Sequence, residues 1–213
     1  MATTLLVTVG STQFQQLTDA VLAPAVLDAL PQLGVSDLVV QLGSAQLPAA
    51  VQLQLSSAGE GAFTHGGDGS KLRVDVLRYT KGAREMDALI ARAGVVVSHA
   101  GGCPQAAASL TWVWSRQQLT IPGLGSGTIL EVLRKSPPPR LLVVPNPALM
   151  DDHQRELAGA LAAGKYLTVS DVDSLLDGLR RVLTVDDTTP APKRFPAPQP
   201  ERFAAILDKT AGF

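Results

Sequence analysis

The feature that most constrains the fold of this sequence is a repeated alternation of short apolar, β-branched runs with amphipathic helical segments. Apolar runs predict strands at residues 4–10, 38–43, 94–98 and 141–144, and the alternating segment 72–77 predicts another. A short sixth strand is predicted at 166–169. Apolar residues at helical spacing predict helices at 16–30, 85–93, 127–135, 149–163 and 172–183. Residues 44–70 are less regular, with glycine-rich loops at 59–61 and 66–69. Strands joined by helices indicate βαβ units, so we expect an α/β fold with a Rossmann-like, doubly wound parallel sheet.

Composition narrows the class of protein further. With 46% apolar and 17% charged residues among 213, the chain has enough apolar material for a sizeable buried core. The net charge of −1 argues against a nucleic-acid-binding surface. A single cysteine, Cys103, excludes a disulfide scaffold and a thiolate zinc site. We see no signal peptide and no run of the roughly 18–20 apolar residues that crosses a bilayer, so we expect a cytosolic protein.

In a doubly wound sheet, ligands bind beyond the carboxyl ends of the strands. The segments to consider therefore follow the predicted strands directly: Gly10-Ser11-Thr12, Tyr79-Thr80, Ser98-His-Ala-Gly101, and the residues from Asn146 onward. A lone histidine such as His99 is more often structural, but its place at the end of a strand favours a role in a site.

The turn Gly10-Ser11-Thr12 links a predicted strand to a predicted helix. Its backbone N–H groups and hydroxyls suit a phosphate at the start of the helix, although any strand-to-helix turn can contain glycine. The turn matches neither G-x-G-x-x-G nor the P-loop pattern. The missing fingerprint, together with the missing acidic residue after the second strand, disfavours a stand-alone NAD-dependent enzyme.

A second glycine-rich turn lies at residues 125–131 and starts a predicted helix. Its N–H groups and helix dipole suit an anionic diphosphate, and Glu131 is placed to accept hydrogen bonds from ribose hydroxyls. The alternative is ordinary N-capping by Ser126 or Thr128, with Glu131 as a first-turn acid that favours the dipole.

Two acidic motifs near helix starts receive different interpretations. The run Asp151-Asp-His-Gln154 contains more polar residues than capping needs, so it is a candidate for binding sugar hydroxyls, with capping as the alternative. The pair Asp171 and Asp173 spells D-x-D, a pattern associated with metal-dependent sugar transfer. Because an amphipathic segment follows, we interpret this pair as helix capping and predict no metal site.

Four segments, in order along the chain, carry the motifs of a known family. They are Val7-Thr-Val-Gly-Ser-Thr12, Val97-Ser-His-Ala-Gly101, Gly125-Ser-Gly-Thr-Ile-Leu-Glu-Val-Leu-Arg134 and Asn146-Pro-Ala-Leu-Met-Asp-Asp-His-Gln154. The tail motifs Lys193-Arg-Phe-Pro196 and Pro200-Glu-Arg-Phe203 fit the fungal members. On these motifs, essentially the whole chain resembles the Alg13 family. Its members are the catalytic subunits of the eukaryotic UDP-N-acetylglucosamine transferase of dolichol-linked oligosaccharide synthesis.

The resemblance implies the C-terminal, nucleotide-sugar half of a GT-B glycosyltransferase of family 28, similar to that of the bacterial transferase MurG. The implied reaction moves GlcNAc from UDP-GlcNAc to GlcNAc-diphosphodolichol with inversion. It needs a heterodimer with a membrane-anchored Alg14-like subunit, which recruits the chain to the cytosolic face of the endoplasmic reticulum. No cofactor or metal is implied. Residues 1–187 would form the donor-binding domain, and residues 188–213 a proline-rich tail with a short helix.

The resemblance also assigns roles to residues of this chain. It places Gly10, Ser11 and Thr12 near the diphosphate, His99 and Gly101 along the donor pocket, Ser126, Gly127 and Thr128 on phosphate, Glu131 on ribose, Tyr79 in the loop that contacts uracil, and Asp152, His153 and Gln154 on the GlcNAc hydroxyls. By residue type, His99 and His153 are candidates for the general base that deprotonates the acceptor. The partner subunit is an equally open source of that base.

Residues 102–125 depart from the family pattern. Without them, Ser98-His-Ala-Gly101 would run directly into Ser126-Gly-Thr-Ile-Leu-Glu, a close match to the family. The segment holds both tryptophans, Trp112 and Trp114, and the only cysteine. Two interpretations stay open: a translated, unspliced intron or gene-model error, and a genuine surface loop. An insert that folds across the pocket would leave an inactive nucleotide-sugar-binding module, whereas a loop that returns to its starting point would preserve the site.

The tail also has two interpretations. Five prolines between residues 188 and 200 predict an extended segment able to lie on another surface, followed by a short helix at 201–209 that docks on a partner. The alternative is a frayed terminus.

Overall fold

The computed structural model describes residues 3–11, 13–58, 61–67, 71–99, 127–147, 153–184 and 193–196. In chain order the elements are β1 (Thr3–Thr8), α1 (Gln15–Val21), α2 (Pro24–Gln32), β2 (Val35–Gln41), α3 (Ala49–Ala58), β3 (Ala62–His65), β4 (Leu72–Leu77), α4 (Ala83–Arg92), β5 (Val95–Ser98), α5 (Gly127–Leu133), β6 (Arg140–Val143), α6 (His153–Ala163), β7 (Thr168–Val169) and α7 (Leu175–Leu183). None of these helices, within the ranges given, is long and apolar enough to cross a bilayer.

The strands form one seven-stranded sheet in the order β3-β4-β2-β1-β5-β6-β7. Every pairing is parallel except β3 with β4, so β3 is an antiparallel edge strand. From β1 the chain builds outward through β2 and β4, and then returns to place β5 on the other side of β1. The predicted doubly wound α/β fold is confirmed, and the strand order reverses between β1 and β5.

Helices cover both faces of the sheet. One buried apolar cluster joins Leu5, Val7 and other strand residues to α1, α2, α3 and α7. The opposite cluster joins Leu6, Val96 and their neighbours to α4, α5 and α6. Because alternate side chains of each central strand point to opposite faces, both sets must be apolar. This double burial explains why the central strands β1, β5 and β6 are recognisable as continuous apolar runs.

The single helix predicted at 16–30 is wrong. Two helices occupy this segment, because the first ends at Val21 and Pro24 is the first residue of the next. Proline lacks the backbone N–H that a continuous helix would need there, but its fixed φ suits a first helical position.

The irregular segment predicted at 44–70 contains two elements. Residues Ala49–Ala58 form α3, and Ala62–His65 form the edge strand β3. The helix exposes uncharged residues, among them Leu53 at 71% exposure, so its sequence lacks the polar and apolar faces that mark an amphipathic helix.

Residues 193–196 of the tail lie on the chain's own domain. The Lys193 N–H donates to the carbonyl of Lys165 at 3.0 Å. The Phe195 ring packs edge-on against Tyr166, with ring centroids 5.2 Å apart, and the Lys193 ammonium lies 5.9 Å from the Tyr166 centroid. The Arg194 guanidinium donates to the Ser136 hydroxyl at 3.1 Å. These four residues thus lie on the chain's own domain, and docking of the tail on a partner stays a prediction. The predicted helix at 201–209 lies outside the described residues.

Candidate functional site

The turns after β1 and β5 meet where the strand order reverses. These strands are neighbours, with Thr8 paired to Ser98 at their carboxyl ends. A Cβ atom added to Gly10 would lie 3.8 Å from Cε1 of His99. Gly10 has a φ of +64°, in the left-handed region that glycine adopts without strain. The structure thus brings two predicted site residues together at the position where doubly wound sheets bind their ligands.

Gln41, the last residue of β2, holds the turn at Gly10. Its side-chain carbonyl accepts hydrogen bonds from the Thr8 hydroxyl at 2.6 Å and the Gly10 N–H at 2.9 Å. Its side-chain amide donates to the Gly10 carbonyl at 2.6 Å and to the Arg78 carbonyl at 2.9 Å. The Gly10 N–H is thus already engaged, so amide donors for an anion at this turn must come from residues after Gly10.

The loop after β4 is tied to the loop after β2. The N–H of Gly43 donates to the Arg78 carbonyl at 2.9 Å, and the Arg78 guanidinium donates to the Ala45 carbonyl at 3.2 Å. The next residue, Tyr79, is 55% exposed. Because Gln41 also bonds to Arg78, the loop that carries Tyr79 and the turn at Gly10 share one side-chain anchor.

His99 is buried beside an aromatic ring. Its side chain is only 6% exposed, and its ring centroid lies 6.4 Å from that of Phe14. Burial disfavours the charged imidazolium and lowers the pKa of His99 to about 4. At neutral pH the ring is therefore uncharged. A base with so low a pKa accepts a proton weakly, so this environment suits a residue that lines the pocket better than a general base.

Asn146 joins the end of β6 to the same edge. Its side chain is 4% exposed, and its amide donates to the Gln13 carbonyl at 3.3 Å, just before α1. The carboxyl ends of β1, β2, β4, β5 and β6 thus contribute to one continuous edge of the sheet.

Glu131 lies four residues into α5, beside α4. Partial burial raises the pKa of its carboxyl, the nearby Asp87 carboxylate raises it further, and the Lys135 ammonium lowers it. Asp87 of α4 forms an ion pair with Lys135, which lies in the turn that follows α5. The interpretation of Glu131 as a first-turn acid is wrong, because α5 begins at Gly127 and its first turn contains no acidic residue.

Comparison with known proteins identifies the family. Residues 4–103 match the Glycosyltransferase family 28 C-terminal domain. The UDP-N-acetylglucosamine transferase subunit ALG13 of Cryptococcus neoformans var. neoformans serotype D is 37% identical, with 99% of this chain and 97% of the relative covered. The protein of the same name from Eremothecium gossypii is 30% identical over 98% of this chain and 93% of the relative. The chain belongs to the ALG13 family.

Solved structures agree with the fold of this ALG13-family chain. An NMR solution structure of ALG13 superposes with a TM-score of 0.55 at 22% identity, covering 97% of this chain and 95% of that one. The crystal structure of Acinetobacter baumannii MurG gives a TM-score of 0.51 at 20% identity, over 86% of this chain and 45% of MurG. The expected likeness to the C-terminal half of a GT-B enzyme is therefore confirmed at the level of the fold.

Several residues with a role predicted from the family lie outside the part of the chain that the structure describes. Thr12, Gly101, Ser126 and Asp152 lie outside the described residues, as does the whole segment 102–125. For Gly127, His153 and Gln154 only the backbone is described. The roles predicted for these residues stay predictions. The roles of Gly10, Tyr79, His99 and Glu131, whose positions are given above, also stay predictions. The same holds for Ser11, which is exposed in the turn after β1, and for Thr128, which is half-buried in α5.

The interpretation of Asp171 and Asp173 as helix caps is wrong. The N-cap residue of α7 is Ser174, and it makes no side-chain cap hydrogen bond. The hydroxyls of Ser170 and Ser174 instead lie 3.0 Å apart, and the Asp171 carbonyl accepts from the Ser170 hydroxyl at 3.2 Å. Within the described ranges, no three His, Cys, Asp or Glu residues are grouped as a metal site requires.

Gln41 was not among the residues predicted for the site. The available signal was its polarity: it stands in an otherwise apolar strand segment, and a buried amide in such a strand needs partners. A separate cleft of about 290 Å³, lined by α1, α2, α3 and His65, lies away from this network and has mostly apolar walls.

Proposed function

We propose that this chain is the donor-binding subunit of a UDP-GlcNAc transferase that transfers GlcNAc to GlcNAc-diphosphodolichol with inversion. The observation that carries the proposal is the meeting of Gly10 and His99 at the carboxyl ends of β1 and β5. A glycine turn at a topological switch point suits a nucleotide diphosphate. Full-length relatives named as UDP-N-acetylglucosamine transferase subunits support the choice of sugar nucleotide.

The chemistry that such a site must perform is stabilisation of a leaving group. Negative charge builds on the β-phosphate as the bond to C1 of the sugar breaks. Pre-oriented N–H donors after Gly10 and at the start of α5 would stabilise that charge without a metal ion. A general base must also deprotonate the acceptor hydroxyl. The low pKa of His99 leaves His153 and the partner subunit as the better candidates.

The proposal includes a partner. The relatives are named as subunits, and a GT-B active site lies between two halves, of which this chain supplies one. We propose a heterodimer with a membrane-anchored, Alg14-like subunit that carries the acceptor side and holds this chain at the cytosolic face of the endoplasmic reticulum.

Reconstitution tests the proposal. The full chain alone is expected to bind UDP-GlcNAc weakly and to transfer nothing, whereas addition of the membrane partner should yield the chitobiosyl lipid. Turnover by the isolated chain, or no product from the complex, would contradict the proposed function.

A second candidate function is an inactive nucleotide-sugar-binding module. It is favoured by the position of residues 102–125, which directly follow the candidate site segment 98–101 at the end of β5. A parallel reconstitution with residues 102–125 deleted separates the two. Activity that appears only in the deleted form favours the inactive module. Equal activity in both forms identifies the segment as a tolerated loop.

A further inference from the structure

Gln41 lies at the edge of the sheet formed by the carboxyl ends of the parallel strands, where the candidate site is. It pairs with Thr8 of β1 on one side and with Leu77 of β4 on the other, so the last residues of three adjacent strands form one row. Its side chain is 2% exposed. A primary amide buried at this position is stable only if its polar atoms find partners within the protein.

Its partners belong to two different turns. The oxygen of the Gln41 side chain accepts two hydrogen bonds from the turn after β1, and the nitrogen donates one to that turn and one to Arg78 after β4. These four bonds use the two donors and two acceptor sites of the amide. A glutamate of the same length lacks the donors and a methionine lacks useful polar atoms, so neither can make this set of contacts.

We infer that Gln41 is a positioning residue for the binding of a nucleoside diphosphate. Its side chain fixes the turn at Gly10 relative to the loop at Arg78 and Tyr79. The inference rests on the proposed function, in which the first turn approaches the diphosphate and the second contacts uracil. The affinity of a ligand that contacts both segments depends on the distance between them. The affinity of a ligand that contacts only the second segment does not.

Binding of UDP and of uridine by the full chain tests this. In Gln41→Met we expect UDP affinity to fall by about tenfold or more and uridine affinity by less than about threefold, measured by NMR titration. Equal losses for the two ligands would indicate general damage and would overturn the inference, as would unchanged UDP affinity or a wild-type chain that binds UDP without binding uridine.

Two further variants guard against misfolding. Thr8→Val removes one of the four hydrogen bonds with little change in shape, and it should weaken UDP binding in the same direction by a smaller factor. If Gln41→Met fails to fold, unchanged UDP affinity in Thr8→Val overturns the inference. Ser170→Ala is the matched control, because Ser170 is also buried and hydrogen-bonded but follows β7. It should leave both affinities unchanged.

Failure of the inference is distinguishable from failure of the proposed function. A wild-type chain that does not bind UDP contradicts both. A wild-type chain that binds UDP and uridine, with a folded Gln41→Met variant that binds UDP equally well, contradicts only the role of Gln41.

Discussion

Gly10 and Gln41 exchange two hydrogen bonds although they are 31 positions apart in the sequence: the Gly10 N–H donates to the side-chain carbonyl of Gln41, and the side-chain amide of Gln41 donates to the Gly10 carbonyl. The backbone N–H and the backbone carbonyl of Gly10 are thus both hydrogen-bonded to one side chain. Together with the φ of +64° at Gly10, this exchange fixes the direction in which the chain leaves β1 and enters the candidate site.

The first prediction concerns Gly10→Ala. A Cβ at this φ is strained by about 1–2 kcal/mol, and relief of that strain would shift the turn away from Gln41. We expect lower stability and weaker UDP binding, measured by denaturant unfolding and by titration calorimetry.

Gly34→Ala is the matched control for that variant. Gly34 also has a positive φ, +83°, with nothing within 4 Å of an added Cβ, but it precedes β2 at the opposite edge of the sheet. The Gly34→Ala variant should lose a similar amount of stability and keep its affinity for UDP. Equal loss of UDP affinity in both glycine variants would contradict the assignment of the turn.

The second prediction concerns stability against pH. Because the pKa of His99 falls from 6.5 to about 4 on folding, the unfolded chain binds a proton at a higher pH than the folded chain does. The contribution of His99 to stability is full above pH 6.5 and is lost as the pH falls towards 4. We expect a loss of about 2 kcal/mol between pH 7 and pH 5 in the free energy of unfolding of the wild type.

The variant His99→Phe isolates this contribution. It retains a ring beside Phe14 but has no titrating group, so its unfolding free energy should fall less than that of the wild type over the same pH range. Parallel pH profiles for the two proteins would show that His99 is not held neutral by the fold.

The third prediction concerns Glu131. The carboxylate accepts hydrogen bonds from ribose hydroxyls more strongly than the protonated acid does, and it can use both oxygens as acceptors. UDP affinity should therefore fall as the pH is lowered through the raised pKa of Glu131. In Asp87→Asn one cause of the raised pKa is gone, and the fall in affinity should move to lower pH. Glu131→Ala should weaken UDP binding at all pH values and flatten this dependence.

The control for the charge change is Asp177→Asn. Asp177 is an exposed carboxylate paired with Arg180 at 3.1 Å on α7. Its replacement should leave the pH profile of UDP binding in place. A profile that moves equally in both asparagine variants would attribute the effect to net charge and not to the contact between α4 and α5.

The fourth prediction concerns the tail. Edge-to-face aromatic pairs contribute about 0.5–1.5 kcal/mol beyond their buried area, so a double-mutant cycle of Tyr166→Ala and Phe195→Ala should show a coupling energy of that size. Leu53→Ala, at a position 71% exposed, should change stability by no more than about 0.5 kcal/mol. A coupling energy of zero would mean that residues 193–196 do not dock on the domain in solution.

The sequence was sufficient to predict the parts of the fold that follow from periodicity. All six parallel strands were predicted. Burial on both faces makes the central strands continuous apolar runs, whereas β4 was found by its alternating pattern. The short edge strand β3 and the uncharged helix α3 lack such a pattern, and both were missed. The break between α1 and α2 was signalled by Pro24, which the apolar spacing of 16–30 outweighed.

The candidate site was predictable in its location but not in its connections. The rule that ligands bind beyond the carboxyl ends of strands pointed to Gly10, Tyr79 and His99. That Gln41 bonds to both Gly10 and Arg78 depends on which strands are adjacent, and the order β4-β2-β1 is not visible in the chain. The low pKa of His99 similarly depends on burial by distant residues, including Phe14.

The most direct test of the account is a map of UDP-GlcNAc-induced amide shifts on the isotope-labelled full chain. We predict that the shifts concentrate at the carboxyl edge of the sheet, around Gly10, Ser11, Tyr79 and His99. Shifts concentrated instead around the apolar cleft at Leu22, Pro24 and Leu27, or their absence at saturating ligand, would contradict it.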